Sequence, residues 1–140
     1  MSDTIKLNLK FCSRFLLKGK KTKAEKILKR LLNSLSSKRY HPHKTLYLAL
    51  LNLRPLIELR QIKKRRKKFL VPFPLKKNRR LFLALNFFFN FSLSDKRSRT
   101  EEIVKKIIII SEGSGNSMIN IKEMHKEARK SRIHLHFRWL

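Results

Sequence analysis

The chemistry available to this chain is carried by cations. Lys20 and Lys21; then Lys63, Lys64, Arg65, Arg66, Lys67 and Lys68; then Lys76, Lys77, Arg79 and Arg80; and finally Lys126, Arg129, Lys130, Arg132 and Arg138 form four clusters nearly free of acid. A solvated face interleaves acids with its bases, whereas clusters of one sign fit an anion, and repeated clusters a polyanion. The nine acids are scattered, mostly at helix starts where a carboxylate complements the helix dipole, and form no acid–base pair. His134 and His136 are two residues apart, as are His41 and His43, but neither pair has the third and fourth ligands of a zinc site. With three glycines the chain has no phosphate-cradling loop. Cys12, the single cysteine, excludes an intrachain disulfide and reads as a buried structural thiol. No enzyme, cofactor or metal site is expected.

Lys and Arg number 36 against nine acids, a formal charge of +27 and a pI near 11.3. So self-repelling a field points to a nucleic acid partner. The competing polyanion is an anionic membrane. The longest apolar run, residues 81–93, is about 13 long and contains Asn86, Asn90 and Ser92, whereas a spanning helix needs roughly 20. No membrane span is expected, and no cleavable leader is recognised. The 140 residues fit a single domain with one core.

The elements that must position these clusters are organised around residues 54–80. Ile57 and Leu59 alternate with Glu58 and Arg60, and Phe69, Val71, Phe73 and Leu75 alternate with Leu70, Pro72 and Pro74, the period of strands with two unlike faces. Pro72 and Pro74 put their missing N–H groups on one edge and force a partner strand onto the other. This predicts a two-stranded arm over about residues 56–75, with the cationic run 63–68 at its tip. A disordered basic loop is the alternative, because no Asn-Gly or Gly-Gly turn is present.

Helical spacing surrounds the arm. Ile5, Leu9, Cys12 and Leu16 define one face of a first helix ending at Gly19. Thr22 and Glu25 have capping-box spacing ahead of Ala24, Ile27, Leu28, Leu31, Leu32 and Leu35. The polar stretch 34–43, holding Pro42, reads as a connection. Leu46, Ala49, Leu50 and Leu53 make a third face that must end before Pro55. Leu81, Ala84, Leu85, Phe88 and Phe91, with Phe82, Phe87 and Phe89, predict a fourth helix buried on most sides, the centre of the core. Ser98 and Glu101 precede Ile103, Ile107 and Ile110, favouring a fifth helix over a β-branched strand. Asn120 and Glu123 suggest a cap opening a basic C-terminal helix and tail over about 120–140. Phe137 and Trp139 beside Arg138 could stack on unpaired bases or pack the tail onto the body. The fold expected is mainly α: about six helices with a β-ribbon arm between the third and fourth.

Several motifs carry a family resemblance: Gly19-Lys20-Lys21 with Ala24-Glu25, Asn52 and Arg54-Pro55 with Glu58, Val71-Pro72, Arg79-Arg80 with Ala84, His125, and the terminal His136-Phe137-Arg138-Trp139. In this order and spacing the chain resembles the small-subunit ribosomal protein seven family of bacteria and organelles over nearly its whole length. The resemblance implies the same six-helix fold with its arm. It also implies binding to the 3′ major (head) domain of small-subunit rRNA, nucleation of head assembly, docking of neighbouring ribosomal proteins, and an arm near exit-site tRNA and the mRNA path, without homo-oligomerisation. The chain departs from the family in a short start before the first helix, a glycine-free arm tip, and Lys18, Ser131 and His134 where the family has Asp, Asn and Phe. Low glycine with abundant Lys, Ile, Phe and Asn suggests an AT-rich gene, and mitochondrial encoding ahead of a plastid or bacterial cytoplasm.

The expected rRNA-binding residues are therefore Lys20, Lys21, Arg54, Lys76, Lys77, Arg79, Arg80, Arg138 and Trp139, with residues 63–68 as the exit-site arm. The rivals are a histone-like DNA-compacting protein, since a helical body with a basic β arm also suits duplex DNA, and a cationic peripheral membrane protein.

Overall fold

The computed structural model describes residues 3–64, 66–90 and 99–139. Helices α1 (Asp3–Cys12), α2 (Lys21–Ser37) and α3 (Pro42–Asn52) are followed by strands β1 (Ile57–Lys64) and β2 (Lys67–Pro74). Helices α4 (Lys77–Phe89), α5 (Arg99–Ser111) and α6 (Asn116–Lys130) come next, and the chain continues into a 3₁₀ segment, Ser131–Trp139. The expected mainly α architecture, with an antiparallel ribbon between the third and fourth helices, is what forms.

Local chemistry explains the ends of several elements. Pro42 occupies the first turn of α3, where its missing N–H costs nothing, and α2 runs on to Ser37, so the connection expected over 34–43 narrows to residues 38–41. At the end of α2 the Tyr40 N–H donates to the Leu35 carbonyl and the Arg39 N–H to that of Ser36, with Arg39 left-handed at φ 61°. The end of α5 repeats these bonds, from Ser114 to Ile109 and from Gly113 to Ile110, with Gly113 at φ 82°. The first cap thus places a side chain where the second has glycine.

Two expected N-terminal caps do not form. Helix α2 starts at Lys21, with Lys20 as its N-cap and no side-chain cap bond, so Thr22 is already inside the helix and Glu25 lies 3.8 Å from Lys21 instead. Helix α6 starts at Asn116 after Gly115, which puts Asn120 within its second turn. In both cases a glycine with positive φ breaks the chain one turn or less upstream of the helix and sets its start earlier. The capping spacing before α5 involves Ser98, which lies outside the described residues, but the isoleucine run is helical, as the spacing predicts.

The core also corrects the reading of α1. Leu9 and Leu16 are exposed, while Leu7 and Phe11 are buried along with Cys12. Phe11 packs 5.4 Å from Phe15, 5.6 Å from Phe88 and 5.4 Å from Phe89, so an aromatic knot between α1 and α4 selects that face. Helix α4 buries Ala84, Leu85 and Phe88, but Phe82 is 44% exposed and Phe91 lies outside the described residues. The centre is shared, since α5 supplies Ile103, Val104, Ile107 and Ile110 against Leu46, Ala49 and Leu50 of α3 and Leu31 and Leu35 of α2. Asn52 locks this arrangement by donating its amide to the carbonyls of Ile110, at 2.9 Å, and Ser111 at the end of α5.

In the arm, Ile57 pairs with Pro74 and the register continues to Lys64 opposite Lys67, leaving only positions 65 and 66 between the strands. The ribbon therefore closes without glycine. Paired residues share a face, so Phe69, Val71 and Phe73 lie with Ile62, Arg60 and Glu58, whereas Ile57 and Leu59 lie with Pro74 and Pro72.

Candidate nucleic-acid interface

Packing of α1 against α4 produces a basic groove. Two adjoining clefts, of about 270 and 430 Å³, share Lys10 and Asn78; Tyr47, Arg54 and Lys77 line the first, and Arg14 and Phe82 the second. No acid lines either cleft. Lys77 opens α4, whose first turn carries no acid and whose free N–H groups favour an anion. Arg54 lies over the Tyr47 ring at 5.6 Å, and its buried Nε–H has no hydrogen-bond partner among the described residues. Arg14 donates to the Asn86 side-chain oxygen and sits 4.7 Å over the Phe82 ring, which Arg79 also approaches at 5.2 Å. Cations held this way spend less conformational entropy on meeting a phosphate.

Of the residues expected from sequence, the groove brings together Arg54 and Lys77. Lys76 is the exposed N-cap of α4. Arg79 is tied to Glu58, with Nη2 to Oε1 at 2.7 Å and Nε to Oε2 at 3.3 Å, and Arg60 reaches the same carboxylate at 3.5 Å. The hydrogen bond from Arg79 is the main cause holding the Glu58 carboxyl below its ordinary value, against its partial burial. Arg80 is half-buried and donates from Nε to the Leu75 carbonyl at 3.0 Å. Lys20 and Lys21, the N-cap and first residue of α2, are exposed and away from the groove lining. Sequence reading missed Lys10 and Arg14. Lys10 is on α1 and Arg14 on the 3₁₀ turn Ser13–Phe15 that follows it, and only the fold sets Lys10 beside Lys77 and Arg14 beside Phe82.

At the arm tip Lys63 faces Lys68 and Lys64 faces Lys67, a like-charge ladder that opposes its own pairing. Arg66 is exposed there, and Arg65 lies outside the described residues. The 3₁₀ segment folds back on the ribbon: Phe137 and His134 pack 4.9 and 5.0 Å from Phe69, and Lys64 lies 4.7 Å over Phe137. Arg138 donates from Nη2 to the Pro72 carbonyl at 2.7 Å, on the edge the prolines leave without donors. Phe137 is thus a packing residue and Arg138 largely an edge clasp, whereas Trp139 is 87% exposed.

Elsewhere two groups are shifted by burial. Cys12 is a buried thiol whose pKa is raised chiefly by desolvation. Lys106 falls to about 8 for the same reason, with its ammonium donating to the Phe88 carbonyl. Among the described residues no three His, Cys, Asp or Glu side chains are grouped to hold a metal, and no helix is long and apolar enough to cross a membrane.

A helical body with an acid-free groove and a lysine-tipped ribbon defines a polycationic protein suited to an anionic polymer. The family described as ribosomal protein S7p/S5e matches residues 3–132, and the chain belongs to that family, whose members are structural, non-enzymatic components of the small ribosomal subunit. It is 33% identical over 130 residues to small ribosomal subunit protein uS7 of Cutibacterium acnes, covering 91% of this chain and 83% of that protein. To small ribosomal subunit protein uS7m of Xenopus laevis it is 32% identical over 123 residues, covering 86% of this chain but 53% of the relative, about half its length. The uS7 of Kosmotoga olearia is 30% identical over 132 residues, covering 93% and 85%.

Proposed function

We propose that this chain binds the 3′ major (head) domain of small-subunit rRNA and nucleates assembly of the head, where neighbouring ribosomal proteins dock. The observation that carries this reading is the convergence of Lys10, Arg14, Arg54 and Lys77 on one acid-free groove. Lys76, Arg79, Arg80, Lys20 and Lys21 extend the contact along the same polyanion, and Arg138 and Trp139 add a second contact beside the arm. The arm tip, residues 63–68, reaches toward exit-site tRNA and the mRNA path; its unbalanced lysine ladder supports a role against phosphate. The compartment is the mitochondrion, a reading supported by composition and by the vertebrate uS7m relatives, with a plastid or a bacterial cytoplasm as the alternatives.

The test is binding of the purified chain to an rRNA head fragment and to a length-matched DNA duplex across a salt series. With roughly six phosphates neutralised, log affinity falls against log salt with a slope of about −4 to −5 for either partner. A preference for the head fragment that survives high salt supports the reading. Its disappearance would favour the histone-like alternative.

A further inference from the structure

A 3₁₀ helix has three residues per turn, so side chains three apart eclipse one another and the segment Ser131–Trp139 presents three rows. Two of the rows are turned toward the arm. His134 and Phe137 pack on Phe69 of β2. Leu135 and Arg138 line a cleft with Ile57, Pro72 and Pro74 at the root of the arm. The third row, Ile133, His136 and Trp139, faces outward, with Ile133 79% and Trp139 87% exposed. The His136 ring lies 3.9 Å from that of Phe137, and its Nδ1 is 3.1 Å from the Ile133 carbonyl. A carbonyl only accepts, so Nδ1 is the donor and the imidazole is fixed in orientation. The row is therefore pre-set: a rigid segment clamped to the arm, with an apolar or aromatic face at each step.

We propose that Ile133, His136 and Trp139 form a docking row for an unpaired stretch of RNA, with Trp139 stacking on a base. This deepens the rRNA-binding reading and rests on it. Three observations select a single-stranded polyanion as the occupant. The ledges are about 6 Å apart, three residues at roughly 2 Å rise, while stacked bases are about 3.4 Å apart, so the row fits a strand drawn out of its own stacking. The segment contains no acid and carries Arg132 itself, the last turn of α6 supplies Arg129 and Lys130, and Glu127 is the nearest acid before it in the chain. Aromatic faces interleaved with cations accept any base, because every base has a π-face. A paired helix keeps its base faces stacked and would offer the row only base edges, 2′-hydroxyls and phosphates.

Trp139 is the single tryptophan of the chain, so its fluorescence reports on this row alone. The full chain is titrated with a short uridine-rich single strand and with a blunt RNA duplex of equal length, each also followed by anisotropy of a label on the RNA. The single strand is expected to quench Trp139 saturably and to shield it from acrylamide, while the duplex binds without doing either. Trp139→Ala should weaken single-strand binding about tenfold and leave duplex binding unchanged, with Trp139→Phe restoring most of the loss. No quenching by the bound single strand, or equal losses for strand and duplex, would overturn the proposal. The rRNA head fragment is run in parallel. Loss of its salt-resistant preference over duplex DNA would defeat the rRNA reading itself. A bound head fragment that leaves Trp139 open to acrylamide would defeat only the docking row and turn that face over to a protein partner.

Discussion

Glu58 on β1 and Arg79 on α4 meet through two hydrogen bonds, the shorter 2.7 Å, and this pair joins the arm to the body. Glu58 is the one acid between Glu25 and Asp95, in a stretch otherwise charged with one sign. Its position makes it the ion-pair tie of the arm to α4, beside the Arg138 clasp on Pro72, and it withdraws Arg79 in part from any external phosphate.

The pH dependence of the arm follows from that carboxylate. Its folded pKa is depressed, so the tie contributes above the unfolded value and is lost as pH falls through the folded one. Amide exchange across β1 and β2, measured against α2, should accelerate below about pH 4. Glu58→Gln should show the faster exchange already at neutral pH, without that acid step. Identical profiles for the two proteins would mean that the ribbon is held by its other contacts.

Reversal of Lys10 and Lys77 to Glu should lower affinity for the rRNA head fragment at least tenfold and make the salt slope shallower by roughly one unit per lost phosphate contact. The same reversal at Lys26 and Lys29, exposed on α2, should cost much less. Equal losses would mean that total charge, and not the groove, sets the affinity.

The lysine ladder sets arm stability against function. Lys63→Glu places opposite charges across the pair with Lys68 and should stabilise the ribbon by on the order of 0.5 kcal/mol, seen as slower exchange of β1 and β2. The same variant should lose exit-site function while binding the head fragment within a few-fold of the parent. A large loss of head-fragment affinity would contradict the division of labour between groove and arm.

Two helix ends with the same hydrogen bonds offer an internal control. Arg39 is left-handed where Gly113 stands at the other cap, and a side chain there costs about 1 to 2 kcal/mol, part of which glycine returns through a freer unfolded chain. Arg39→Gly should therefore stabilise by roughly 0.5 to 1 kcal/mol in urea unfolding. Gly113→Ala should destabilise by about 1 kcal/mol, and purely through the backbone, since an added Cβ there meets nothing within 4 Å.

What could be read in advance divides by the range of the forces involved. The number and order of the helices, and the ribbon between the third and fourth, rest on periodicities of 3.6 and 2 that neighbouring residues write locally. The face of α1 does not. The set Ile5, Leu9, Cys12 and Leu16 and the set Leu7, Phe11 and Phe15 both suit a helix, and contact of Phe11 with Phe88 and Phe89 of α4 decides between them. The caps expected at Thr22 and Asn120 were displaced by nearby glycines in left-handed conformations, a backbone effect that side-chain spacing does not report. The charge clusters were legible as charge. Their sorting into groove cations such as Lys77, arm anchors such as Arg79 and an edge clasp at Arg138 depends on partners distant in sequence.

The clasp between Arg138 and the Pro72 carbonyl spans 66 residues of chain. During synthesis at about 5 to 20 residues per second, roughly 3 to 13 s separate the making of the strand from the making of its cover. Through that interval the nascent ribbon has an open edge and a cationic tip, in reach of whatever RNA is nearest. Occupancy by RNA before release would screen the lysine ladder that opposes the pairing of the strands, so the order in which the chain is made favours assembly with its polyanion.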